Sequence, residues 1–119
     1  MARPGCGYGR LTVTRGELVT IALTGDDREP RPALVIQSDL FEAHPSVTIL
    51  PVTSTLREAP LFRIRVAPTP ENGLRKVSQV MVDKPQTVAR GKVGKTIGRL
   101  DDESMLAVNR ALAVFLGFA

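Results

Sequence analysis

The chain has 119 residues, 43% of them hydrophobic and 24% charged, with a formal net charge of +4. This length supports one domain around one hydrophobic core, and the single cysteine, Cys6, excludes an internal disulfide and suits a reducing compartment. No apolar run approaches the ~20 residues that cross a bilayer and the first residues lack the apolar segment of a signal peptide, so we expect a cytoplasmic protein without membrane contact, whose basic charge favours an anionic partner.

Residues 1–14 are predicted to form a flexible tail ahead of the fold. Gly5, Gly7 and Gly9 interrupt any periodic pattern there, and the segment offers little apolar surface that could order it. From Arg15 onward the chain has no internal repeat and no low-complexity segment. We therefore expect residues 15–119 to form a single domain.

Short apolar segments separated by turn residues predict a series of strands in this domain. Residues 33–36 are almost continuously apolar, which favours a strand buried on both faces. Residues 61–66 alternate apolar with basic and should place Arg63 and Arg65 on a solvent face. Pro51 is expected to end the third strand. The predicted strands cover residues 18–23, 33–36, 47–50, 61–66, 74–82 (as a strand pair or one bent strand) and 95–97. They indicate a small antiparallel sheet or open barrel, so the fold class is mainly β.

One convincing helix follows the strands. Asp101 can cap its start, and the acidic residues that come next suit the positive end of the helix dipole. Gly117 is expected to end it. The stripe that should pack on the barrel recurs at three- and four-residue spacing and consists of Met105, Val108, Leu112 and Phe115.

Most catalytic and metal-binding patterns are absent from the sequence. His44 is the only histidine and stands in a connection beside Pro45, so a Ser-His-Asp triad would depend on a loop residue, and no His/Cys cluster is available for zinc. The acidic runs lack the spacing of a calcium loop, and no Walker sequence occurs. We therefore expect no metal and no cofactor.

Cations and hydroxyl groups gather at the ends of the predicted strands. Arg31 is bracketed by Pro30 and Pro32, which fix the backbone on both sides and present the guanidinium from a stiff corner. Such groups can cleave RNA without a metal, because the 2′-hydroxyl is the nucleophile and the protein supplies positioning and charge stabilisation. Arg31 would stabilise charge at phosphorus or exchange a proton, and Thr53 could hydrogen-bond a nonbridging oxygen. The full candidate set is Arg31, Thr53, Ser54, Lys76, Ser78 and Gln79.

The chain resembles the MazF/PemK family of bacterial toxin endoribonucleases. The resemblance is carried by three motifs in order, RGELV, RPALVIQSD and LPVTS, at residues 15–19, 31–39 and 50–54. It continues through residues 77–80 and 96–103 into the helix. It implies an SH3-like barrel of the CcdB/PemK type with a C-terminal helix, a homodimer, metal-independent and sequence-selective cleavage of single-stranded RNA, and inhibition by a cognate antitoxin that brings a disordered acidic segment.

Carried over by position, the family's catalytic arginine and threonine fall on Arg31 and Thr53. Some members have an aspartate where this chain has Ser78, and an arginine where it has Lys76. A serine hydroxyl is a poor general base at neutral pH, so the mechanism centred on Arg31 and Thr53 is favoured. The expected RNA-binding or auxiliary residues are Asp26 and Arg28 in the first loop, with Ser54, Arg63, Arg65, Lys76, Ser78 and Gln79.

Two other functions remain open at this point. The same barrel also carries toxins that poison DNA gyrase without cutting RNA, and fold alone does not dictate activity. A barrel that binds single-stranded RNA without cleaving it is a further alternative. The aromatic content of 4% counts against that reading, because few side chains are available for base stacking.

Overall fold

The computed structural model describes residues 13–22 and 30–119, and this part of the chain forms a mainly antiparallel β structure with one helix at its end. Two short 3-10 helices, Asp39–Phe41 and Arg90–Lys92, lie in connections. The strands are β1 (Glu17–Ile21), β2 (Arg31–Val35), β3 (Ser46–Thr53), β4 (Arg63–Val66), β5 (Ser78–Met81), β6 (Gln86–Ala89) and β7 (Val93–Arg99), and the helix is α1 (Asp102–Leu116). The mainly β fold class is confirmed.

Strand β3 joins two parts of the sheet. The strand order is β4-β5-β3-β2-β1-β7, and β6 pairs with the first half of β3. On one edge of β3 the partner changes along the strand: β6 pairs with β3 as far as Ile49, and β5 pairs with it from Val52 onward. Pro51 lies at this change of partner. Proline has no backbone N–H group, and the strand can lack one at this point, so β3 continues through the proline. The expectation that Pro51 ends the strand is wrong.

The central strands are buried on both faces. Neighbouring residues in a strand point to opposite sides of a sheet, so Leu34 and Leu50 join one apolar cluster while Ala33 and Ile49 join another. This arrangement explains why residues 33–36 are almost continuously apolar. Val13 also packs against the second cluster, although the sequence places it in the tail.

Helix α1 closes the first cluster. Val108 is fully buried, and Met105 and Leu112 pack beside it, as the periodicity predicts. Phe115 is an exception, because its side chain is 48% exposed in the described structure. Gly117 ends the helix with φ 87°, a left-handed conformation that suits glycine.

Asp101 caps the start of α1 as expected. Its Oδ2 accepts a hydrogen bond of 2.9 Å from the Ser104 backbone N–H. Hydrogen bonds from the side chain and backbone of Ser104 hold the pKa of the Asp101 carboxyl below its ordinary value. The capping residue is thus charged at neutral pH and faces the positive end of the helix dipole.

Several strand limits differ from the sequence expectation. Strand β6 was not expected, because its sequence QTVA has little apolar content and is mostly exposed. Strand β4 begins only at Arg63, and Leu61 before it is 76% exposed. Within residues 74–82, only Ser78–Met81 is a strand.

Helix α1 and the other described helices all lack the combination of length and apolar content that crossing a membrane requires.

Candidate active site

A groove of about 560 Å³ opens where β2 begins and β3 ends. We call it the basic groove, because Arg31, Arg75, Lys76 and Lys95 line it and no acidic residue is among its described lining residues. Its described lining residues are Thr20, Pro30, Arg31, Pro32, Val52, Thr53, Ser54, Thr55, Gly73, Leu74, Arg75, Lys76, Ser78, Lys95 and Ile97. Clustered positive charge of this kind attracts a polyanion.

Arg31 and Thr53 are brought together by strand register. In the β2–β3 ladder Ala33 is the partner of Pro51, and two residues beyond this pair lie Arg31 on one strand and Thr53 on the other. The antiparallel register therefore places both residues at the same end of the ladder, just beyond its last pair. Both side chains belong to residues that line the basic groove.

The hydroxyl of Thr53 is held by a local hydrogen bond. Its Oγ1 accepts from the backbone N–H of Thr55 at 3.0 Å. A threonine hydroxyl has one proton besides its acceptor positions, so this contact leaves the proton to be donated to a ligand. Ser54 lies beside it, exposed at the groove wall.

Ser78 lines the groove and supports a neighbouring lysine. The residue is buried, and its hydroxyl donates to the Lys76 carbonyl oxygen at 2.9 Å. That bond fixes the turn that carries Lys76 into the groove. Ser78 is thus placed to support Lys76.

Gln79, Arg63 and Arg65, expected as RNA contacts, are absent from the groove lining. Gln79 is buried, and its Oε1 accepts 3.0 Å hydrogen bonds from the Arg57 N–H and the Arg63 guanidinium. Arg63 is half-buried and is engaged with the protein, which corrects its placement on a solvent face. Arg65 is exposed on β4.

Arg75 and Lys95 line the groove but were missed by sequence reasoning. Arg75 precedes Lys76, so its basic neighbour was a usable signal. Lys95 lies in β7, distant in sequence from the other cations of the groove, and its backbone N–H donates to Thr20 Oγ1 at 3.1 Å. The β1–β7 pairing brings it to the groove.

The turn that delivers Arg75 and Lys76 is locked by Asn72. This side chain is 2% exposed; its Oδ1 accepts from the N–H groups of Thr69 and Leu74, and its Nδ2 donates to the Ala67 carbonyl oxygen at 2.9 Å. At Gly98 on β7, a Cβ would collide with the Asn72 backbone, so glycine allows the turn to lie directly against the strand.

Three further residues named in the sequence analysis are not among the described lining residues of the groove. Asp26 and Arg28 fall outside the residues that the structure describes. His44 is exposed and lines a second pocket of about 380 Å³, formed by Gln37, Phe41, His44, Ser46, Thr48 and Thr87, which shares no residue with the basic groove. Within residues 13–22 and 30–119, no three carboxylate, imidazole or thiol groups cluster closely enough to hold a metal ion.

Comparison with known proteins agrees with this fold. Residues 14–116 match the family of PemK-like, MazF-like toxins of type II toxin-antitoxin systems. The chain is 47% identical over 106 residues to a probable endoribonuclease MazF of Mycolicibacterium smegmatis, a match that covers 88% of this chain and 97% of the relative.

Solved structures show the same architecture. The Mycobacterium tuberculosis toxin MazF-mt6 is 25% identical with a TM-score of 0.72, covering 85% of this chain and 96% of that one. An endoribonuclease from a mycobacterial species, in complex with its cognate antitoxin, is 25% identical with a TM-score of 0.73, covering 90% and 97%. The match over residues 14–116, together with the 47% identical relative, establishes that this chain belongs to the PemK-like, MazF-like toxin family of type II toxin-antitoxin systems.

Proposed function

We propose that the chain is the toxin of a type II toxin-antitoxin pair and that it cleaves single-stranded RNA in the cytoplasm without a metal ion. The observation that carries this proposal is the convergence of Arg31 and Thr53 in a groove lined by four cations. The 47% identical relative is named as a probable endoribonuclease, which supports the same activity here.

In this reaction the RNA supplies its own nucleophile. The 2′-oxygen attacks the adjacent phosphorus, the bond from phosphorus to the 5′-oxygen breaks, and the products are a 2′,3′-cyclic phosphate and a 5′-hydroxyl end. The attacking hydroxyl gives up its proton and the departing oxygen takes one up. In the proposed reaction, water exchanges these protons with the two oxygens.

Arg31 and Thr53 act on the charge that develops at phosphorus. The guanidinium is planar and permanently charged, so it can donate two parallel hydrogen bonds to nonbridging oxygens. Thr53 donates its hydroxyl proton to one of these oxygens, because the hydrogen bond from the Thr55 N–H uses only an acceptor position of the hydroxyl oxygen. Donors fixed before the reaction stabilise the transition state without having to reorganise.

The other cations of the groove bind the RNA backbone. Arg75, Lys76 and Lys95 are exposed and line the groove; the first two follow the Asn72 turn and Lys95 lies on β7. Contacts of this kind release counterions, so RNA affinity is expected to fall as salt rises. They position the strand without reading its sequence.

The test is incubation of the purified chain with single-stranded RNA in excess EDTA. Cleavage that leaves cyclic phosphate ends, and that falls by about 10²–10³-fold in Arg31→Ala, is the expected result. Cleavage that is equally fast in Arg31→Ala would remove the assigned mechanism. Intact RNA together with stalled gyrase complexes on DNA would instead select the gyrase-poisoning alternative.

We also propose that the chain is a homodimer. Large apolar side chains remain exposed along α1 and just beyond it, namely Leu106, Val114, Phe115, Leu116 and Phe118. A small domain with an apolar helix face gains stability when a second copy covers it. Sedimentation should give twice the chain mass, and a stable monomer at micromolar concentration would contradict the proposal.

A cognate antitoxin is the third expected partner. One structural relative was solved with its antitoxin. An acidic segment would find complementary charge in the basic groove and would exclude RNA from it. An acidic peptide of the antitoxin should therefore compete with RNA for the free toxin, and simultaneous binding of both would argue against this mode of inhibition.

A further inference from the structure

A buried side chain behind the groove fastens the loop that follows β3. Gln79 is the ladder partner of Thr53 and is 6% exposed. Its Nε2 donates to the Arg57 carbonyl oxygen at 2.9 Å, and its Oε1 accepts from the Arg57 N–H at 3.0 Å. The amide thus pairs with both backbone groups of Arg57, much as a neighbouring strand would, and ties the loop to β5.

The same loop reaches back to the hydroxyl of Thr53. The Arg63 guanidinium donates to Gln79 Oε1 at 3.0 Å and to the Thr55 carbonyl oxygen at 3.3 Å. The Thr55 N–H in turn donates to Thr53 Oγ1. Because this last bond fixes one acceptor position of the hydroxyl, the direction left for its proton depends on where the loop holds Thr55.

We propose that Gln79 is a positioning residue for RNA cleavage, which orients the Thr53 hydroxyl toward the reacting phosphate through the backbone of residues 55–57. This inference rests on the proposed function, since it takes Thr53 to contact that phosphate. Gln79 does not touch the RNA. Its amide is engaged by Arg57 and Arg63, and it is absent from the groove lining.

The substitution Gln79→Met tests this role. Methionine keeps the length and much of the volume of glutamine but forms none of the three hydrogen bonds. Displacement of a reacting group by about 1 Å can cost ~10²-fold in rate. The single-turnover cleavage rate at saturating RNA should fall by about 10–100-fold. The Kd for an uncleavable RNA carrying 2′-deoxyribose at the scissile position should change by less than about 3-fold, because no phosphate contact is removed.

Gln37 provides a matched control. Its amide also fastens a connection to a strand, since it donates to the carbonyl oxygens of Phe41 and Ser46 and accepts from the Thr48 N–H at 3.0 Å. It lines the second pocket and not the basic groove. Gln37→Met should lower the Tm by an amount similar to Gln79→Met while leaving the cleavage rate within about 2-fold of the parent chain.

A double-mutant cycle with Thr53→Val decides whether Gln79 acts through Thr53. In the Thr53→Val background, Gln79→Met should lower the cleavage rate by less than about 2-fold, because the hydroxyl that Gln79 positions is already absent. If Gln79→Met is too unstable to assay, the same cycle is measured with Arg63→Met in its place, and the same result is expected.

The outcomes separate this inference from the proposed function. Two results would overturn the positioning role and leave the nuclease proposal intact. One is a double variant in which the rate losses of Gln79→Met and Thr53→Val multiply, and the other is an unchanged cleavage rate in a folded Gln79→Met protein. Equal loss of rate in Gln37→Met would also overturn it, because general destabilisation would then explain the effect. Failure of the parent chain to cleave RNA would reject the proposed function itself.

Discussion

Arg31 and Thr53 lie at the same end of the β2–β3 ladder, each two residues beyond the paired residues Ala33 and Pro51. Both residues line the basic groove, and the two strands of this ladder are packed into the core. In the proposed mechanism, two donors carried by packed strands need little rearrangement when the phosphate binds. We therefore expect RNA cleavage to be sensitive to small changes at either residue.

The geometry of the Arg31 side chain should matter as much as its charge. Arg31→Lys keeps the positive charge but loses the planar fork that can contact two phosphate oxygens. We expect the kcat for RNA cleavage to fall by about 10²-fold and KM to change much less. Initial rates on a short fluorescent RNA over a range of concentrations measure both parameters. A lysine variant as active as the parent chain would show that charge alone suffices.

The salt dependence of RNA binding should report the lysines of the groove. Lys76→Gln and Lys95→Gln should each reduce the slope of log affinity against log salt by about 0.7, the value for one phosphate contact to a single strand. Lys84→Gln is the control, because Lys84 lies outside the groove lining and is 3.9 Å from Asp83. Titrations at several salt concentrations give the slopes, and three equal slopes would contradict the placement of RNA in the groove.

Removal of the Asn72 side chain should loosen the turn that carries Arg75 and Lys76. Asn72→Ala leaves the Thr69 and Leu74 N–H groups without their side-chain acceptor, and we expect the free energy of unfolding to fall by about 1–3 kcal/mol. The KM for RNA should rise as well, because two groove cations lose their support.

Asn109→Ala serves as the comparison for that variant. Asn109 is exposed on α1 and accepts a single 2.8 Å hydrogen bond from the Arg15 guanidinium. Loss of this hydrogen bond should lower the free energy of unfolding by less than about 0.5 kcal/mol, as is usual for surface positions. Denaturant unfolding of both variants gives the two values, and equal stabilities would show that the buried Asn72 network contributes nothing.

The helix cap should make stability depend on acid pH. Hydrogen bonds from Ser104 lower the pKa of Asp101 in the folded state, so its stabilising contribution is complete above the ordinary carboxyl value of 3.8 and is lost as pH falls through the lowered folded value. Asp101→Ala should cost about 1 kcal/mol at neutral pH. The difference in free energy of unfolding between the parent chain and Asp101→Ala should shrink below pH 4. Urea unfolding at pH 7 and pH 3 measures this difference. A difference that grows in acid would contradict the capping assignment.

The sequence predicted the elements whose signals are local. Asp101 and Gly117 bound the helix by capping preferences that need no tertiary context, and the apolar runs of β2 and β3 are visible because both faces of these strands are buried. Strand β6 carries no such signal, since its mostly exposed residues are held by pairing with β3. Pro51 misled the prediction because its tolerance depends on which strands flank it.

The sequence by itself determined the mainly β fold with its terminal helix and the family, and it predicted the pair Arg31 and Thr53, because these rest on motifs and on periodicity within short segments. Only the tertiary structure decided the composition of the groove, since Lys95 reaches it through the pairing of β7 with β1. It also decided that Gln79 faces the loop at Arg57 and lies outside the groove lining. Burial and hydrogen-bond partners of such residues are set by chain segments far apart in sequence, and no local pattern records them.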